Sequence, residues 1–160
     1  MKAVVDTNVF VNAIFHGDKW SREVLNRHMN EEIAISMNKE CQTELLVIFL
    51  IFVAEKFKTD KRQLYRYYGK LTDALWTMER TPCKTRTKYS IDNGDNKFIN
   101  CAIDSNAEYI VTYNSDHLCG FEEQIKKDHG VNIKVLTPYN FIIEVNKFRF
   151  RDTVNSNRIR

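Results

Sequence analysis

Four acids in this chain are placed where carboxylates do chemistry: Asp6, Glu44, Asp95 and Asp116. Asp6 ends the apolar run "AVV" and is followed at once by Thr7 and Asn8. Asp95 lies in "YSIDNGDNKFIN", Asp116 in "IVTYNSDHL", and Glu44 in "SMNKECQTELL". Each alone has an ordinary reading. Asp6 fits a turn or cap, Asp92 and Asp95 fit a helix N-terminus, Glu44 fits a solvated helix position, and Asp116 fits a loop. Gathered together they would repel and raise one another's pKa, so the group would need a cation. Oxygen donors with no neighbouring Cys or His pair suit Mg²⁺ or Mn²⁺.

Those acids meet only if the elements beneath them bring them together. Ala3 to Val5 read as an apolar strand covered on both faces. "EEIAIS" (31–36), "EYIVTYN" (108–114) and "NIKVL" (132–136) read as further strands, and "KTRTKYS" as an exposed one. Asp18 caps an expected helix through Trp20, Val24 and Leu25, and Asn38 caps one over 39–58. Another begins near Thr59 or Asp60, carries Leu64, Tyr68, Leu71 and Leu75 at helical spacing, and ends at Pro82. Helices are also expected from Asp92 to Asp95 onward, near 121–127, and over 138–147, with Pro138 in its first turn. This alternation implies an α/β sandwich with a mostly parallel central sheet.

Ligands in such sheets bind outside the carboxyl ends of the strands, where strand order reverses. The first strand and "YIVTY" form the natural central pair. Asp6, Asn114 and Asp116 then share one edge, and the helix opened by Asp95 starts at that same edge. Glu44 is less determined by this reasoning.

Composition sets the frame. The 160 residues fit one domain with a full core. A net charge of +3 permits nucleic-acid binding without arguing for it. Cys41, Cys83, Cys101 and Cys119 form no CxxC pair, the pattern of reduced thiols in a cytosolic protein. Cys101 reads as packed in the core. "LLVIFLIFVA" (45–54) is about half the length of a membrane span, so a cytoplasmic protein without membrane contact is expected. That run is too apolar for a helix with one solvated face. The next helix, the sheet, another subunit or a protein partner could cover it. The expected division is a domain over 1–147 and a basic tail over 148–160, either flexible or laid on a partner or a nucleic acid.

"VVDTNVFVNAIF", "SMNKECQTELL", "DNGDNKFINCAIDSNAEYIVTYNSDHL" and "VLTPYNFI" together resemble PIN domains over about residues 1–145, most closely the VapC-like toxins of toxin–antitoxin systems. The resemblance implies a three-layer α/β/α sandwich and a metal-dependent ribonuclease. It assigns Asp6, Glu44, Asp95 and Asp116 as the catalytic, Mg²⁺- or Mn²⁺-binding acids, and Thr7 and Asn8 as the pair that orients the first acid and its water. Relatives often have aspartate where Asn114 stands, and more acid around Asn93, Gly94 and Asn96, so this site is less negative than theirs. RNA as substrate, a small antitoxin and a homodimer are further expectations of the resemblance.

Substrate contacts are thinly encoded. Lys84, Arg86 and Lys88 alternate and could follow a phosphate backbone or guard an edge strand. Tyr65, Tyr67 and Tyr68 read as a buried helix face, with base stacking as the other option. His117 reads as a surface histidine. Two rival functions are a PIN-like RNA-binding scaffold and an aspartate-nucleophile phosphatase. The phosphatase would want a second aspartate where Asn8 stands.

Overall fold

The computed structural model describes residues 1–56 and 60–157, with side chains through residue 150. Among the described residues, five parallel strands form one sheet in the order β3-β2-β1-β4-β5: β1 (Lys2–Val5), β2 (Ala34–Met37), β3 (Glu79–Arg80), β4 (Tyr109–Val111) and β5 (Lys134–Leu136). Ala3, Val4, Val5, Tyr109, Ile110 and Val111 are all buried. Successive strand residues face opposite sides, so both faces of the sheet are covered and the architecture is an α/β/α sandwich. Helix α5 (Asn96–Ser105) packs on β1, β2 and β4. Helix α2 (Lys19–Met29) pairs with α8 (Pro138–Asn157), whose Phe141 ring lies 5.2 Å from that of Tyr109.

Order reverses at the β1–β4 pair, which opens the crevice expected at a topological switch point. Helix α1 (Thr7–Val11) leaves this edge directly from β1 and continues into a π-helical turn, Asn12–His16. Phe15 of that turn stacks on Phe52 of α3 (Lys39–Lys56) and on Tyr67 of α4 (Lys61–Thr77). Asn38 starts α3 by accepting from the Cys41 N–H at 2.9 Å. Asp18 starts α2 in the same way through Ser21, and Asp60 starts α4 through Arg62 and Gln63. Residues 57–59, including the other candidate cap Thr59, lie outside the described residues, as do 158–160.

Several expectations are corrected. Residues 84–90 form no strand. The N–H groups of Lys84 and Thr85 are bonded to the Asp104 carboxylate, and that of Thr87 to Asn100 Oδ1. Side chains of α5 thus satisfy this segment in place of a neighbouring strand. Helix α4 stops at Thr77, well before Pro82, because the chain turns extended at Met78 and joins the sheet, with Thr81 N–H donating to Met37 O. The tyrosine face is not buried: Tyr65 is 71% exposed and Tyr68 48%, while Tyr67 alone turns inward onto Phe15. Helix α8 runs through Asn157, so residues 148–157 continue it, and Arg149 reaches Glu32 at 2.8 Å.

Helix α3 buries Leu45, Phe49 and Val53 but leaves Leu46, Val47, Leu50 and Ile51 exposed, so its neighbours α1, α4 and α5 cover only part of the apolar run. Among the described residues, no helix is long and apolar enough to cross a membrane.

Candidate metal centre

Asp6 directly follows β1 as the N-cap of α1, and it is buried. Thr112 Oγ1, just past β4, donates to Asp6 Oδ2 at 2.6 Å, and Asn8 Nδ2 donates to the same oxygen at 2.7 Å. The Asn8 N–H reaches Asp6 Oδ1 at 3.2 Å. Thr112 Oγ1 in turn accepts from the Asn114 N–H at 2.9 Å. Burial pushes the Asp6 carboxyl above its ordinary range. The Thr112 and Asn8 donors work against that shift, and the nearby charges of Asp95 and Glu44 add to it.

Asp95 ends a 3₁₀ turn (Asn93–Asp95) that Asp92 opens by accepting from the Gly94 N–H. Asp95 Oδ2 is buried with no hydrogen-bond donor, and His117 Nδ1 stands 3.5 Å from it. Its pKa is raised by burial first and by the Asp92 charge second, against the pull of Lys97 and His117. Glu44, half-buried on α3, pairs through Oε2 with Lys97 Nζ at 2.5 Å. Lys97 Nζ also donates to Gly94 O. Thr7 Oγ1 is a second buried polar atom without a partner.

Asp6 therefore feels the charges of Asp95 and Glu44. Asp116 lies exposed on the short helix α6 (Ser115–Leu118), beside His117. Among the described residues, the trio whose donor atoms all fall within 4.8 Å of one another is Asp92, Asp95 and His117, not the four expected acids. Lys97 engages Glu44, while Asn8 and Thr112 hold Asp6.

A family model described as PIN domain matches residues 2–116. The chain belongs to the PIN-domain family. An uncharacterized protein of Methanocaldococcus jannaschii is 28% identical to it over 157 residues, covering 92% of this chain and 94% of that one. A solved structure of VapBC2 from Rickettsia felis, bound to a DNA fragment from their promoter, is similar with a TM-score of 0.50 and 18% identity. That match covers 84% of this chain and 98% of the other, and it speaks for the fold alone.

PIN domains are typically nucleases that use a divalent metal, and this PIN domain has a candidate metal-holding cluster in Asp92, Asp95 and His117. Three participants escaped the sequence reading. Thr112 is a polar residue directly after the apolar β4, a signal parallel to Asp6 after β1. Lys97 gives no signal, because a lysine in the first turn of a helix is ordinary. His117 was read as a surface residue, yet its ring reaches Asp95 while remaining half exposed.

Lys84, Arg86 and Lys88 are all exposed, so their alternation holds without a strand. Arg86 pairs with Glu40 of α3 at 3.1 Å. Asn96 is buried and accepts from the Ser90 N–H, a structural use of a position where acid was noted as missing. Cys101 is buried, its thiol directed at Ser36 O.

Proposed function

We propose that this PIN domain is a metal-dependent endoribonuclease of the cytoplasm, the toxin of a type II toxin–antitoxin pair. The observation that carries the reading is the buried Asp95 Oδ2, which has no hydrogen-bond donor closer than His117 Nδ1 at 3.5 Å and lies among the charges of Asp6 and Asp92. A buried carboxylate oxygen without a donor is costly, and a hard cation is the partner that suits it. The surrounding donors fit such an ion: most are carboxylate oxygens, with His117 supplying one nitrogen.

Asp6, Glu44, Asp95 and Asp116 would hold Mg²⁺ or Mn²⁺, with Asp92 and His117 adjoining. A bound divalent ion supplies an attacking water of lowered pKa and charge stabilisation at the phosphate. The remaining work belongs to the chain. Asn8 and Thr112 fix the orientation of Asp6. The unpaired Thr7 hydroxyl donates to the attacking water or to a non-bridging oxygen. Lys84, Arg86 and Lys88, on a segment fastened to α5 through the N–H groups of Lys84, Thr85 and Thr87, follow the phosphates of the RNA. Water attack leaves a 5′-phosphate and a 3′-hydroxyl and makes no use of the 2′-hydroxyl. The apolar face of α3 at Leu46, Val47, Leu50 and Ile51 supports a protein partner, a second copy or an antitoxin.

The test is incubation with labelled single-stranded RNA in Mg²⁺, Mn²⁺ or EDTA, with Asp6→Asn as the matched control. Metal-dependent cleavage that yields 5′-phosphate ends and disappears in the variant is the expected result. Equal cleavage by wild type and variant would overturn the mechanism. RNA binding that ignores EDTA, without cleavage, would make the domain a scaffold.

A further inference from the structure

Lys97 stands out among the groups that the proposed chemistry leaves unused. Its side chain is only 12% exposed, unusual for a lysine. Three contacts hold it: Glu44 Oε2 at 2.5 Å, the Gly94 carbonyl, and the Phe98 ring, whose centroid is 4.5 Å from Nζ. A surface lysine would leave its ammonium in water. Here the chain has brought the cation inward, against the carboxylates, from the first turn of the helix that follows Asp95.

The neighbouring acids give this placement a meaning. The Lys97 ammonium pairs with Glu44 and its charge acts on Asp95, so a cation already stands between two of the acids that would hold metal. A second ion would compete with Lys97 for Glu44 and meet the repulsion of the ammonium. An ammonium has three N–H groups. Among the described contacts Glu44 and Gly94 take two of them, which leaves one for a phosphate oxygen.

We propose that Lys97 takes the place of a second metal ion, so that the centre binds one divalent cation per chain and presents the Lys97 ammonium to the scissile phosphate. The inference rests on the nuclease reading above and deepens it. Lys97 neutralises Glu44 while the site waits for its ion and stabilises charge on the phosphate when RNA is present. An ordinary structural salt bridge would do only the first.

Mn²⁺ binding to the full chain, followed by electron paramagnetic resonance and calorimetry, tests this. Wild type is expected to bind one Mn²⁺. Lys97→Met removes the repulsion and should bind Mn²⁺ at least ~10-fold more tightly, while its kcat on single-stranded RNA falls. Lys97→Arg should keep the wild-type stoichiometry and affinity. Opposite movement of metal affinity and kcat is the signature, since a variant that had merely lost its fold would lose both. Two ions of similar affinity in wild type would overturn the role of Lys97 and leave the nuclease reading standing. Unchanged or weaker Mn²⁺ binding by a folded Lys97→Met would do the same. Wild type that binds no Mn²⁺ would overturn both.

Discussion

Thr112 and Asp6, 106 residues apart in the chain, are joined by a 2.6 Å hydrogen bond between a hydroxyl and a buried carboxylate. The bond ties the end of β4 to the end of β1 at the point where strand order reverses. It also sets the direction of Asp6, because Asn8 Nδ2 reaches the same oxygen. Replacing Thr112 with Val preserves shape and removes the donor. Partners behind a metal ligand typically contribute about 10–100-fold to metal affinity or activity, so Thr112→Val is expected to lose that much, and Thr112→Ser much less. Mn²⁺ titration of the two variants measures the difference.

Asp6 carries a stability consequence of the opposite sign. Burial raises its folded-state pKa above its unfolded value. At neutral pH the ionised form is therefore held at a cost, which is relieved as pH falls through the raised value. In EDTA at pH 7.5, Asp6→Asn should be more stable than wild type by about 1 kcal/mol, or ~2–4 °C in Tm. The gap should narrow on acidification, and Mg²⁺ should stabilise wild type alone. Melting curves in EDTA showing Asp6→Asn below wild type at pH 7.5 would contradict this account.

His28 governs a separate pH response, far from the acids. It is buried, with Nδ1 at 3.2 Å from Ile33 O and Nε2 at 3.0 Å from Thr77 Oγ1. Burial lowers its pKa, partly offset by the Ile33 carbonyl. The unfolded chain then takes up the proton first. Stability present above about pH 6.5 is lost progressively as pH falls from there toward the lowered folded value. Urea unfolding at pH 7.5 and 5.5 should show that loss in wild type and a smaller one in His28→Gln.

Asp104 anchors the basic segment without touching the metal centre. Its carboxylate accepts from the N–H groups of Lys84 and Thr85 and from Thr85 Oγ1 at 2.6 Å. Asp104→Ala should free Lys84, Arg86 and Lys88 from their fixed course. KM for RNA is expected to rise roughly 3–10-fold, with a salt dependence that marks lost phosphate contacts. Mn²⁺ affinity should stay at the wild-type value; a parallel loss of metal binding would mean that Asp104 supports the centre itself.

The exposed face of α3 predicts assembly. Leu50 is 53% exposed between Val47 and Ile51, themselves about half exposed. If a second copy covers this face, wild type sediments as a dimer and Leu50→Lys as a monomer with unchanged helicity. A monomeric wild type would assign the face to an antitoxin.

Much of this architecture was legible in the residues alone. Apolar runs short enough for buried strands, alternating with capped helices, implied the parallel sheet, and strand ends implied the edge at which Asp6 feels the charge of Asp95. Local chemistry suffices for such inferences, because periodicity and capping act within a few residues. The course of 84–90 was misread because its partners, Asp104 and Asn100, come from a helix later in the chain. The end of α4 was misplaced because pairing of β3 with β2 overrode the nearby proline signal. Strand and helix ends singled out Asp6 and Asp95 as candidates, but not the groups that contact them. Thr112, Lys97 and His117 reach Asp6, Glu44 and Asp95 across separations that no local pattern spans. Hydrogen bonds and ion pairs depend on distances of a few ångströms, and between distant residues those distances exist only once the chain has packed.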